Sequence, residues 1–155
     1  MAIYFSNAQI GLIRRHGAAC YPNECCGFLL GTTLGNDRIV HAVRPVSNEF
    51  DEAQQTRRYL IEPKDVWEME EDARSAGIDI LGVYHSHPDH PARPSEYDRT
   101  HAWPSFSYLI VSIMKGRPRE VFSWLLSEDR EEFHKERITV QESPVQAGRE
   151  QAKWQ

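Results

Sequence analysis

Residues 78–86 (IDILGVYHS) constrain the fold more than any other stretch of this 155-residue chain. Apolar residues fall on both faces of the run, the pattern of a strand covered on both sides. Such a strand needs a layered surrounding, which a sheet flanked by helices provides. The length suits one domain and is enough to close a hydrophobic core without cross-links.

The remaining punctuation fits that frame. Ser6 reads as an N-cap, with Ile10, Ile13 and Ala18 recurring at helical spacing, so a helix is predicted over residues 7–20. Pro22 opposes its continuation. Residues 25–33 (CCGFLLGTT) and 38–46 form two strands joined at the Gly35-Asn36 turn signal, a hairpin. Residues 47–56 are polar loop, and 58–62 are predicted as a strand. Pro63 suits the first turn of a second helix, which ends near Ala76 with Gly77 after it. Strands are also predicted over 108–114, 120–126 and 132–140, with Gly116-Arg117-Pro118 as the turn between the first two. The fold class is therefore α/β, a mixed β-sheet flanked by two or three helices. Residues 1–141 form one domain, and 142–155 read as a polar tail.

Composition removes several functions. Lys and Arg total 18 against 23 Asp and Glu, a net charge of −5. This argues against a nucleic-acid or anionic-membrane partner, which needs a basic face. No apolar run approaches the ~18 residues of a membrane span. The N-terminus lacks a secretory signal pattern. Cys20, Cys25 and Cys26 are odd in number and two are adjacent, so no disulfide framework is expected; the predicted compartment is the cytoplasm.

The chemistry concentrates in residues 84–98, YHSHPDHPARPSEYD. His85 and His87 lie two apart at the end of the buried strand, so both imidazoles leave the same face. On that face they follow Leu81 and Val83. A short helix capped by Ser95 would put Asp98 in its first turn, where the carboxylate can turn back toward the histidines. Two nitrogens and one oxygen then make three ligands for a divalent ion with one position open, the arrangement of a catalytic zinc. A zinc-activated water needs a base, and Glu24, at the lip of the first hairpin strand, is the candidate.

These residues resemble the JAMM/MPN-plus metalloproteases. That family carries an upstream glutamate, then His-[Ser/Thr]-His-Pro, six residues, Ser, two residues and Asp. Here Glu24, His85-Ser86-His87-Pro88, Ser95 and Asp98 fill every position. The resemblance implies one Zn2+ held by His85, His87 and Asp98, with Glu24 as general acid/base and Ser95 donating to the developing oxyanion. It also implies a cytidine-deaminase-like layout. The substrate it implies is the amide or isopeptide bond after the C-terminal Gly-Gly of a ubiquitin-like protein. The minimal length is similar to that of the small stand-alone bacterial members. Some of those act on ubiquitin-like sulfur-carrier proteins and release cysteine or a short extension.

Plainer readings compete at each position. Taken alone, His85 and His87 are polar residues at a strand end, and Ser95 with Asp98 is a helix capping box. The joint spacing favours the metal. Cys25 and Cys26 read as small buried hydrophobes, and His90 as a solvated loop residue. His16, His41, His101 and His134 have no partner spacing. Trp67, Tyr108 and Trp124 are expected in the core. A non-catalytic MPN scaffold is the rival function, although such chains lack one or more ligands. A zinc deaminase would need H-x-E with a downstream P-C-x-x-C, which is absent.

Overall fold

The computed structural model describes residues 1–142. Most of the predicted 142–155 tail therefore lies outside the described residues. Strand β1 (Ala2–Ser6) runs directly into helix α1 (Asn7–Cys20). Ser6 ends the strand and caps the helix: its hydroxyl accepts from Gln9 N–H at 3.1 Å, and Gln9 Oε1 accepts from Ser6 N–H at 2.9 Å. The buried stripe is Ile10, Ile13 and Gly17, so Gly17 replaces the predicted Ala18. A Cβ at Gly17 would meet Ile113 Cδ1 at 2.8 Å. The missing side chain lets α1 lie close against the sheet.

The hairpin is β2 (Cys26–Leu34) and β3 (Asp37–Val46). Helix α2 (Pro63–Ser75) starts on its proline. It stops where Gly77, at φ +72°, donates to Arg74 C=O at 3.0 Å and Ile78 N–H donates to Ala73 C=O at 2.9 Å, a Schellman stop. Then follow β4 (Asp79–Pro88), α3 (Glu96–His101), β5 (Ser107–Met114), β6 (Arg117–Leu126) and β7 (Phe133–Gln141).

The strands form one mixed sheet in the order β1-β3-β2-β4-β5-β6-β7, closed by parallel pairing of β7 with β1. The α/β mixed-sheet class holds, and the closure is an addition to it. β1 was not anticipated, and it supplies that closure. Around β4 the sheet is covered on both faces. Ile10 and Ile13 of α1 pack with Leu29, Tyr84, Leu109 and Val111, while Met69 and Ala73 of α2 pack with Phe28, Leu30, Val83 and Tyr108. No helix among the described residues is long and apolar enough to cross a membrane.

Four local expectations are corrected. Residues 58–62 form no strand: Asn48 takes the Arg58 carbonyl and the Leu60 N–H that a neighbouring strand would need. Trp67 is 64% exposed, because the buried stripe of α2 runs through Met69 and Ala73 and leaves position 67 toward solvent. Leu81 is not on the His85 face. Leu29 pairs with Gly82 and Leu30 with Ile80, so Leu81 sits in a bulge and joins the α1 side of the core, leaving Val83 to precede the histidines. Arg117 and Pro118 already belong to β6, and the turn is made by Lys115 and Gly116 at φ +53° and +83°.

Candidate metal centre

β4 delivers His85 and His87 from its C-terminal end, both buried. The loop after β4 is fastened rather than free. Asp89 Oδ2 accepts from the Tyr21 hydroxyl at 2.6 Å and its Oδ1 from Lys115 N–H at 2.7 Å. Further on, Trp124 Nε1–H donates to Ala92 C=O at 3.0 Å, and Ala92 N–H donates to Glu120 at 3.2 Å. The loop ends at Ser95, whose hydroxyl accepts from Asp98 N–H at 3.0 Å while Ser95 N–H donates to Asp98 Oδ2 at 2.8 Å. The capping box therefore exists, and it also aims the carboxylate.

The result is a compact triangle. His85 Nε2 lies 3.1 Å from His87 Nε2, His87 Nε2 lies 3.2 Å from Asp98 Oδ2, and His85 Nε2 lies 3.4 Å from that same oxygen. A tetrahedral ion with bonds of about 2.0–2.1 Å needs donor separations of about 3.3 Å. The three donors match one face of that tetrahedron. His87 Nδ1 is 2.9 Å from Pro91 C=O. An N–H there leaves Nε2 bare for a metal, the usual outer support of a ligating histidine. The chemistry of the set, two imidazoles and a carboxylate, suits zinc.

In the metal-free site the two histidines and Asp98 are electrostatically coupled. Burial opposes ionisation of Asp98, but His85, hydrogen bonds from both histidines and the Ser95 N–H outweigh it and hold its carboxyl well below the usual range. Burial alone would depress His87, yet Asp98 raises it overall. Glu24 is 6% exposed, and its carboxylate has no hydrogen-bond partner among the described residues. Burial pushes it up to about 7 against the pull of His85 and His87. Its backbone is pinned, with N–H donating to Gln55 C=O at 2.7 Å and C=O accepting from Asn48 Nδ2 at 3.1 Å.

Sequence reasoning missed two residues here. Tyr59 stacks on His85 with ring centroids 4.5 Å apart. Asn48 binds Glu24, Phe50, Arg58 and Leu60 through one amide, tying the Glu24 segment to the strap that carries Tyr59. The one available signal was an asparagine in a polar loop, which is too common to single out. Cys25 and Cys26 are buried thiols whose pKa values rise with burial, that of Cys25 to about 12, so they are poor ligands or nucleophiles. His90 is exposed. His16 bonds the Tyr84 hydroxyl at 2.8 Å and His101 stacks on Tyr97. One cavity reaches the triangle through Asp98 and a second lies beside Glu24. The first, of about 280 Å3, is lined by Phe28, Tyr59, Val83, Tyr97, Asp98 and Trp103. The other, of about 590 Å3, has Glu24 in its wall.

The chain resembles known proteins in sequence and fold. The chain is similar to the desampylase of Haloferax volcanii, 42% identical over 100 residues that cover 63% of this chain and 69% of that protein. A solution structure from Desulfitobacterium hafniense superposes with a TM-score of 0.81 at 33% identity, covering 94% of this chain and 97% of that one. A JAB1/MPN domain protein of Archaeoglobus fulgidus shares the fold at 17% identity, with a TM-score of 0.51 over 90% of this chain and 99% of that one. Residues 6–127 match the family model described as prokaryotic homologs of the JAB domain, and the chain belongs to that family.

Proposed function

We propose that this protein is a zinc-dependent peptidase or isopeptidase that hydrolyses the amide bond after the C-terminal Gly-Gly of a ubiquitin-like protein, a sulfur carrier included. The observation that carries this reading is the His85–His87–Asp98 triangle with a buried, unpaired Glu24 in electrostatic reach of it. A divalent ion held there would acidify water and polarise a carbonyl.

The chain's own groups supply the rest. Glu24 is a carboxylate whose burial raises its proton affinity, within electrostatic reach of the triangle, so it can take a proton from water and return it to the leaving nitrogen. The Ser95 hydroxyl oxygen already accepts from Asp98 N–H, and its hydrogen remains to donate to the substrate carbonyl oxygen. Tyr59 packs over His85 and shields its imidazole from water. A diglycine tail suits a cleft bounded by such a strap, because it brings no side chains past the reacting carbonyl. Similarity to a protein named desampylase supports a modifier-removing role.

The rival reading, a non-catalytic scaffold, has no use for a buried carboxylate left without a hydrogen-bond donor. The test is to incubate zinc-loaded protein with a ubiquitin-like carrier extended beyond Gly-Gly and weigh the carrier. Loss of the extension is expected. An unchanged mass with zinc bound contradicts the reading and favours the scaffold.

A further inference from the structure

The cavity of about 590 Å3 beside Glu24 has a chemical bias that the reaction has not yet used. Glu24, Glu49 and Asp65 all line it, and no lysine or arginine does among the described residues. Glu49 and Asp65 form no ion pair among those residues. Arg58, whose charge reaches Glu24, is instead stacked over Tyr97, 4.2 Å from the ring centroid, and does not line the cavity. His16, its imidazole neighbour, is engaged with the Tyr84 hydroxyl, and burial favours its neutral form. A second observation points to an occupant. Glu24 is more than nine-tenths buried, its carboxylate lacks a hydrogen-bond partner among the described residues, and it stands in this wall.

We propose that this cavity is the leaving-group subsite and that Glu49 and Asp65 set its specificity, selecting a cationic leaving segment and rejecting one that carries a free carboxylate. The inference rests on the hydrolase reading above. Glu24 is the group that returns a proton to the leaving nitrogen, so the departing segment lies on its side of the scissile bond. The balance is simple: amide plus water gives a Gly carboxylate and an amine that leaves as ammonium. Carboxylates nearby stabilise a positive segment and repel a negative one. A lysine-bearing segment without a free carboxylate fits best; an uncharged side chain with a free carboxylate fits worst.

The experiment uses one ubiquitin-like carrier whose Gly-Gly is joined to lysine amide, alanine amide or free alanine, giving leaving segments of charge +1, 0 and −1. The zinc-loaded protein should cleave them in that order, with kcat/KM falling about tenfold per step. The E49Q/D65N double variant should flatten the series, mainly through KM, with zinc content unchanged. Lysine amide should inhibit the parent protein and inhibit the variant less. Equal cleavage of all three, or a series the variant leaves intact, overturns the subsite and leaves the hydrolase standing. Cleavage of none by zinc-loaded protein overturns both.

Discussion

Tyr59 lies over His85, ring planes inclined by 23° and centroids 4.5 Å apart, although the two residues share no element of structure. The contact caps one candidate ligand with an aromatic face and forms a wall of the apolar cavity beside Asp98. Tyr59→Ala should cost about 2–4 kcal/mol of stability through lost packing and weaken zinc about tenfold by loosening His85. Tyr59→Phe should keep both, because the Tyr59 hydroxyl has no hydrogen-bond partner among the described residues. Thermal unfolding and chelator competition measure the pair. Equal losses in both variants would show that the hydroxyl matters and the stack does not.

Glu24 makes stability depend on pH in a definite direction. Burial raises its pKa from 4.5 to about 7. Between those values the folded metal-free chain holds a proton that the unfolded chain has released, so stability rises as pH falls through 7 and the burial penalty is full above it. Glu24→Gln should therefore stabilise the metal-free protein by on the order of 3 kcal/mol near pH 8. That gain should vanish near pH 4. Urea unfolding in chelator at both pH values is the measurement. A gain independent of pH contradicts the assignment of a buried, strained carboxylate.

Asn48 fastens the Glu24 segment and the Tyr59 strap with one side chain. Asn48→Ala removes these bonds and leaves partly buried backbone groups unpaired, a loss of about 2–3 kcal/mol. If the amide also positions Glu24, kcat should fall about tenfold or more while KM and zinc content change little. Steady-state kinetics with metal analysis separate the two effects. Reduced stability with normal kcat would leave Asn48 a purely structural tie.

The site was more legible than the frame around it, for physical reasons. His85, His87, Ser95 and Asp98 lie within one short segment, so strand alternation and a cap residue were enough to bring their side chains together. Glu24 is 61 residues before His85, and only the completed family pattern singled it out. Leu81 was placed on the wrong face because a bulge is set by the register against β2, which no local pattern reports. β1 closes the sheet through pairing with β7 at the far end of the chain, and its AIYFS run is too short to announce that partner. The 58–62 run alternates Tyr59 and Ile61 like a strand, yet an asparagine side chain took over its backbone groups. Trp67 is apolar but off the buried stripe of its helix, where periodicity outranks hydrophobicity.

Zinc titration of the metal-free protein tests the central claim most directly. One equivalent should bind tightly to the parent protein and to Glu24→Gln, while His87→Ala and Asp98→Ala should lose that equivalent and remain folded. A parent protein that binds no zinc, or alanine variants that bind it as well as the parent does, would contradict a shared ion at the His85–His87–Asp98 triangle.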